Sequence, residues 1–260
     1  DDNAFSALTF SPDGEYIAYA ETGPQNYPNI SNIYVQGLAT GERVQATSGK
    51  FSDGDPVFSA DGAWLYFISQ RNFSPEPGSP WGDRNMGVSF PDRGELHALQ
   101  LDPEAEFPFT PENELTGESA DATAGSSDED EGENEDEESA KANITLSGLA
   151  DRLFKLPVKP GANGGLLASD KFLYTRMGED WVSVKIDQND PKVETFAGKA
   201  LGLAMSDDRK TVLVAQRAGE SLDFALVPAG ATMPKDVDNK RVRLDDWRIT
   251  IDSITEWEQM

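Results

Sequence analysis

The chain has 260 residues, 22 basic and 47 acidic side chains, one histidine and no cysteine, for a formal net charge of −25. That length supports one large or two small domains, and the lack of cysteine excludes a disulfide framework, a thiolate nucleophile and a cysteine-bearing zinc site. Eleven acids and no base fall within residues 117–140, yet the rest still holds 36 acids against 22 bases; nucleic acid is an unfavourable partner, as is an anionic membrane surface.

The chain opens on DDNAFSALTF, without an initiating Met and already inside a strand pattern, so it reads as beginning within a longer protein. No stretch reaches the roughly 18–20 apolar residues of a membrane helix, and no membrane insertion is expected. A recurring unit then organises the sequence: a short apolar strand, a tight turn around Asp, and a second, more apolar strand. It reads FSALTFSPDGEYIAYAE from Phe5 to Glu21 and DPVFSADGAWLYFISQR from Asp55 to Arg71, with weaker copies GLLASDKFLYTRMG from Gly165 and LGLAMSDDRKTVLVAQR from Leu201. The turn aspartates are Asp13, Asp61, Asp170 and Asp208, spaced by 48, 109 and 38 residues. In these turns Gly tolerates positive φ while Ser and Asp satisfy local backbone donors, so all four aspartates are expected to cap turns.

Each unit continues into a third strand, NIYVQGL, ELHALQL, WVSVKID or DFALVPA, and two add a fourth, TGERVQATSG and DPKVETFAG. The second strand is apolar on both faces, with Trp64, Tyr66 and Ile68 alternating with Leu65 and Phe67. A half-solvated strand would alternate with polar residues, whereas one sandwiched between sheets need not. Four short strands repeated every 40 to 50 residues predict an all-β fold, a partial β-propeller of about four four-stranded antiparallel blades over residues 1–250. The long interval before Asp170 holds the loop 72–94 and the acidic tract 117–140, which is expected to be a disordered surface insertion. At the end, Ser253 with Glu256 predicts the start of a helix over 251–260.

The chemical motifs point away from catalysis within this chain. A Ser-His-Asp arrangement needs an imidazole, and His97 lies inside ELHALQL, where packing within a blade is the expected role. There is no G-x-S-x-G elbow, no H-E-x-x-H and no phosphate loop. The run DEDEGENEDEE lacks the ordered ligand pattern of a calcium loop. No catalytic, cofactor-binding or metal position is assigned, and no cofactor is expected. The loop from Arg71 to Phe90, rich in Pro, Gly and aromatics, is read either as a recognition surface or as a segment sealed onto the propeller by Phe73, Trp81 and Phe90.

The run SDGDPVFSADGAWLYFISQRNFSPEPGSPWGDRNMGVSF, the following GELHALQLDPEAEFPFTPENE, the later ITLSGLADRLFKLPVKPGANGGL and the closing RITIDSITEWEQM resemble the second propeller of tricorn-type serine peptidases, up to the junction with the peptidase core. The resemblance is collinear over essentially the whole chain. It implies a non-catalytic propeller segment that gates or channels peptides to a downstream Ser/His core absent from these residues, the parent hydrolysing peptide bonds. The partners it implies are peptide substrates, the remaining blades, the peptidase core and a homo-oligomer of the parent. A cytoplasmic location is expected, or a periplasmic one if a signal peptide precedes the chain. Two other readings stay open: a TolB-like protein-binding propeller without enzymatic activity, and the propeller of a prolyl-oligopeptidase-type enzyme.

Overall fold

The computed structural model describes residues 3–23, 30–75, 88–109, 142–186, 191–219 and 221–242. The acidic tract 117–140, the middle of the long loop with Trp81, and the expected helix start at 251–260 lie outside the described residues. Among the described residues the regular structure is fifteen strands and two short 3-10 turns.

The strands form four consecutive antiparallel sheets. The first holds β1 (Ala4–Phe10), β2 (Tyr16–Thr22), β3 (Ser31–Gly37) and β4 (Arg43–Gln45); the second, β5 (Asp53–Phe58), β6 (Trp64–Ser69), β7 (Glu95–Gln100) and β8 (Leu153–Lys155). The third holds β9 (Ala162–Ala168), β10 (Phe172–Met177), β11 (Asp180–Lys185) and β12 (Val193–Ala197). The fourth is three-stranded, β13 (Gly202–Met205), β14 (Thr211–Ala218) and β15 (Ser221–Pro228). On its outer edge Arg241 bridges Ala225, and the Val242 N–H donates to the Phe224 carbonyl at 2.8 Å, so a fourth position begins there. Within every sheet spatial order equals chain order, the meander of a propeller blade.

The sheets stack because their central strands are apolar on both faces. β6 is buried at all six positions. Leu65 and Phe67 point to the first sheet, packing with Ala18, Ile33 and Val35. Trp64, Tyr66 and Ile68 point the other way, against Ala162, Leu166, Leu173 and Val184 of the third. A further layer, with Tyr174, Trp181 and Phe196 against Val212, Val214 and Val227, joins the third sheet to the fourth. The alternation seen in the sequence is thus the signature of three interblade layers. The two outer faces of the stack are different. β1 shows Phe5 at 64% exposure, and the fourth sheet shows Leu222 and Leu226 at 53% and 50%. Apolar patches of this kind mark surfaces that bury against something else.

A close backbone junction ties the second sheet to the third. The Gly94 carbonyl accepts the N–H groups of Gly161 and Ala162 at 2.8 and 3.2 Å, tying the start of β7 to the start of β9. The chains approach so closely that a Cβ on Gly94 would lie 1.6 Å from the Ala162 carbonyl oxygen. β8 is the strand that the sequence hides: Leu153–Lys155 pairs with His97, Ala98 and Leu99 of β7 across the whole acidic insertion.

Candidate functional site: the axial cavity

The first strands of consecutive sheets lie against one another, β1 on β5, β5 on β9 and β9 on β13, so they converge on a common axis. Three of them share an irregularity. β1 shifts register between Ser6 and Thr9, β5 between Gly54 and Val57, and β9 at the partners of Arg176. At the shift stand Ala7, Asp55 and Gly165, with φ of 52°, 51° and 63°. Each lies four residues before the serine of its turn. A bulge here bends the inner strand and re-aims the residues beyond it. Ala7 and Asp55 hold a left-handed backbone that L-residues adopt at a cost of about 1 kcal/mol or more. The Asp55 carboxylate also accepts the Gly165 N–H at 3.1 Å, linking two inner strands side by side.

The turns after these strands follow one hydrogen-bond plan. Ser11 Oγ donates to the Asp13 carboxylate at 2.6 Å, Asp13 accepts the Glu15 N–H at 3.0 Å, and the Tyr16 N–H donates to Ser11 Oγ at 2.9 Å. The same three bonds recur at Ser59, Asp61, Ala63 and Trp64, and at Ser206, Asp208, Lys210 and Thr211. Asp13, Asp61 and Asp208 are therefore turn caps, as their sequence context predicts. Asp170 is not. The third turn is two residues shorter, closed by the Phe172 N–H on Ser169 Oγ at 3.0 Å and the Ser169 N–H on the Phe172 carbonyl at 2.8 Å. In this shorter loop Asp170 makes none of the three capping bonds and instead lines the cavity at the ends of the inner strands.

The fourth turn carries the second departure. Gly14 and Gly62 take φ of 69° and 76° in the first two turns; the equivalent position is Arg209, with φ of 58°. Its Nη1 donates to the Phe58 carbonyl at 2.7 Å, so a side chain from the fourth sheet reaches the inner strand of the second. Burial lowers the guanidinium's pKa, opposed by the charges of Asp170 and Asp61; it stays protonated at neutral pH.

Between the ends of the inner strands lies a cavity of about 700 Å³. Its walls are Leu8 and Phe10 of β1, Val57 of β5, Leu167 of β9, and Leu203 and Met205 of β13; at its rim stand Asp170, Asp207, Asp208 and Arg209. The apolar walls and the charged rim place the recognition chemistry at the turn end of the axis.

At the opposite end of β5 to β7 lies a buried polar cluster. Asp53 is fully buried and receives Arg71 Nη2 at 3.2 Å; burial raises its carboxyl pKa against the bonds from Ser69 and Arg71. Lys155 Nζ donates to Glu95 at 2.6 Å, and His97 Nε2 faces the same carboxylate at 3.3 Å. His97 is 4% exposed, beside Phe67. Burial, helped by the Arg71 charge, pushes its pKa down to about 4 despite Glu95, so the imidazole is neutral at pH 7. The long loop leaves this end of the sheet. Its described ends are sealed by ring contacts of Phe73 with Phe51 and Phe90, with Arg93 over Phe73. Phe73 makes these ring contacts and still keeps half of its surface exposed, so both readings of the loop stand.

No family model matches the chain. Tricorn protease homolog 1 of Streptomyces coelicolor is 27% identical over the full chain, and Putative tricorn protease homolog 2 of the same organism is 28% identical over 73% of it. The crystal structure of the tricorn protease aligns with 86% of the chain at a TM-score of 0.60 and 21% identity. The chain is similar in sequence to tricorn protease homologues. It spans 25% and 16% of the two Streptomyces relatives and 21% of the crystallised chain. The likeness to the crystal structure concerns the fold, and the fold is the propeller that the repeats predict.

Two features of this propeller escape a reading of the repeats. Arg209 stands where the first two units have Gly, so it looks like a degenerate turn; its positive φ and its reach become visible only with the chain folded. The inner-strand bulges leave no signal at Ala7. At Asp55 the neighbouring Gly54 and Pro56 are a faint one, since both residue types cluster at strand irregularities.

Proposed function

We propose that this chain is the non-catalytic propeller portion of a tricorn-like serine peptidase, and that it channels peptide substrates to a Ser/His core carried elsewhere in the longer protein. The observation that carries this reading is the axial cavity, framed by the ends of all four inner strands and walled by apolar side chains. An extended peptide presents apolar side chains at regular intervals and suits such walls. The sole imidazole supports the same division of labour, because His97 is buried and held by Glu95 far along β7 from the cavity-lining turns. On this reading the exposed Phe5 of the first sheet and the exposed face of the fourth bearing Leu222 and Leu226 pack against further blades, the peptidase core lies beyond them, and the parent assembles as a homo-oligomer.

The test is made on the full-length protein containing this chain. A fluorophosphonate that reacts with activated serine is expected to label it once per polypeptide, outside residues 1–260, and to abolish peptide hydrolysis. Active protein that takes up no label refutes the serine peptidase reading.

A further inference from the structure

The axial cavity has a charge asymmetry that selects among peptides. Its walls are largely apolar, and three carboxylates, Asp170, Asp207 and Asp208, line its rim with the cation Arg209, while Lys171 and Lys210 adjoin Asp170 and Asp208 on the same turns. With Asp13 and Asp61 the turn end carries five carboxylates against three cations among the described residues. Arg209 is committed: its guanidinium is bonded to the Phe58 carbonyl at 2.7 Å and sits between the charges of Asp61 and Asp170. Asp208 is held ionised, its pKa lowered by bonds from Ser206 and from the Lys210 N–H. The neighbouring turns place Asp13 and Asp61 on the same end of the stack. An incoming segment thus meets hydrophobic walls below a rim of net negative charge.

We propose that the cavity takes extended peptide segments in which apolar residues alternate with Lys or Arg, and that it disfavours acidic segments. The proposal rests on the channel reading and adds to it the chemistry of the preferred peptide. Leucine-sized side chains match Leu8, Leu167, Leu203 and Met205, while a Lys or Arg side chain extends its charge from an apolar stem toward Asp170 and Asp207. A Glu in the same place would meet like charge at the rim. Charge complementarity of this kind sets specificity and encounter more than raw affinity.

The experiment uses the full-length protein, treated with the fluorophosphonate so that peptides are not cut, and fluorescence anisotropy at physiological ionic strength. The probes are fluorescein-labelled octapeptides of Leu and Gly, identical except that two positions carry Lys, Gln or Glu. The expected order of affinity is Lys above Gln above Glu. Asp170→Asn combined with Asp207→Asn should weaken the Lys peptide about three- to tenfold and leave the Gln peptide within about twofold. The control pair Asp151→Asn with Glu194→Gln removes two exposed acids away from the cavity and should change little. Equal binding of the Lys and Glu peptides, or an equal loss in the control pair, overturns the charge selection while leaving the channel reading intact. Failure of all three peptides to bind overturns both.

Discussion

Arg209 offers a sharp test of how the cavity is built, because two opposing effects meet in one residue. Its backbone is left-handed at φ 58°, and relief of that strain by Gly is worth about 1 kcal/mol. Its side chain supplies a charged hydrogen bond of 2.7 Å to the Phe58 carbonyl, a class of bond worth about 1.5–3 kcal/mol. Arg209→Ala removes the bond and keeps the strain, so it should destabilise local structure by about 1.5–3 kcal/mol. Arg209→Gly removes the bond and the strain together, so its net loss should be smaller by about 1 kcal/mol. Hydrogen exchange of the amides in β13 and β14 of the full-length protein reads these opening energies directly. In a helix or ordinary turn Ala outlasts Gly; here Gly should be the more protected of the two variants. Greater protection in Arg209→Ala than in Arg209→Gly would show that the left-handed backbone carries no strain, and no change in either would show that the bond to Phe58 does not hold the turn.

Two further predictions concern the frame. Gly94→Ala would set a Cβ 1.6 Å from the Ala162 carbonyl oxygen; both are backbone groups of strands that cannot separate without breaking the link between the second and third sheets. A loss of about 3 kcal/mol, at the upper end of overpacking costs, should appear as a lower urea midpoint. The second is a pH dependence: the folded pKa of His97 is depressed to about 4 from an ordinary 6.5, so the unfolded chain takes up the proton first. Stability therefore falls as pH drops below about 6.5 and levels off near 4, with a His97 share of about 2 kcal/mol between pH 6.5 and 5. Glu95, held below its ordinary 4.5 because the bonds from Lys155 and His97 outweigh burial, adds a loss of the same sign only at lower pH. His97→Asn should flatten the upper window in urea titrations, and an unchanged slope there would contradict the burial account.

The stacking of the blades was readable because burial on two faces leaves a pattern in β6 that no half-exposed strand shows. Turn chemistry was readable where the loop kept its four-residue form, and it located three of the four caps. Asp170 misled because identity of residues, Ser followed by Asp, survived while the loop length changed; hydrogen-bond geometry follows length. β8 was hidden by its size and distance. Three residues, Leu153–Lys155, pair with a strand that ends before the acidic insertion, and neither periodicity nor turn signals connect them. The cavity itself is made by residues from all four repeats, each ordinary in its own strand, and only their convergence on one axis gives them a shared role.

If peptides reach a catalytic core through the axis of this propeller, as proposed, blocking that axis must slow their hydrolysis. Ala204 is exposed and lines the cavity, and the chain has no cysteine of its own. In the full-length protein, with other reactive thiols removed, Ala204→Cys can be coupled to a bulky maleimide. Hydrolysis of a fluorogenic peptide should then fall at least tenfold while fluorophosphonate labelling proceeds at its former rate. Unchanged peptide hydrolysis after complete coupling would contradict the account.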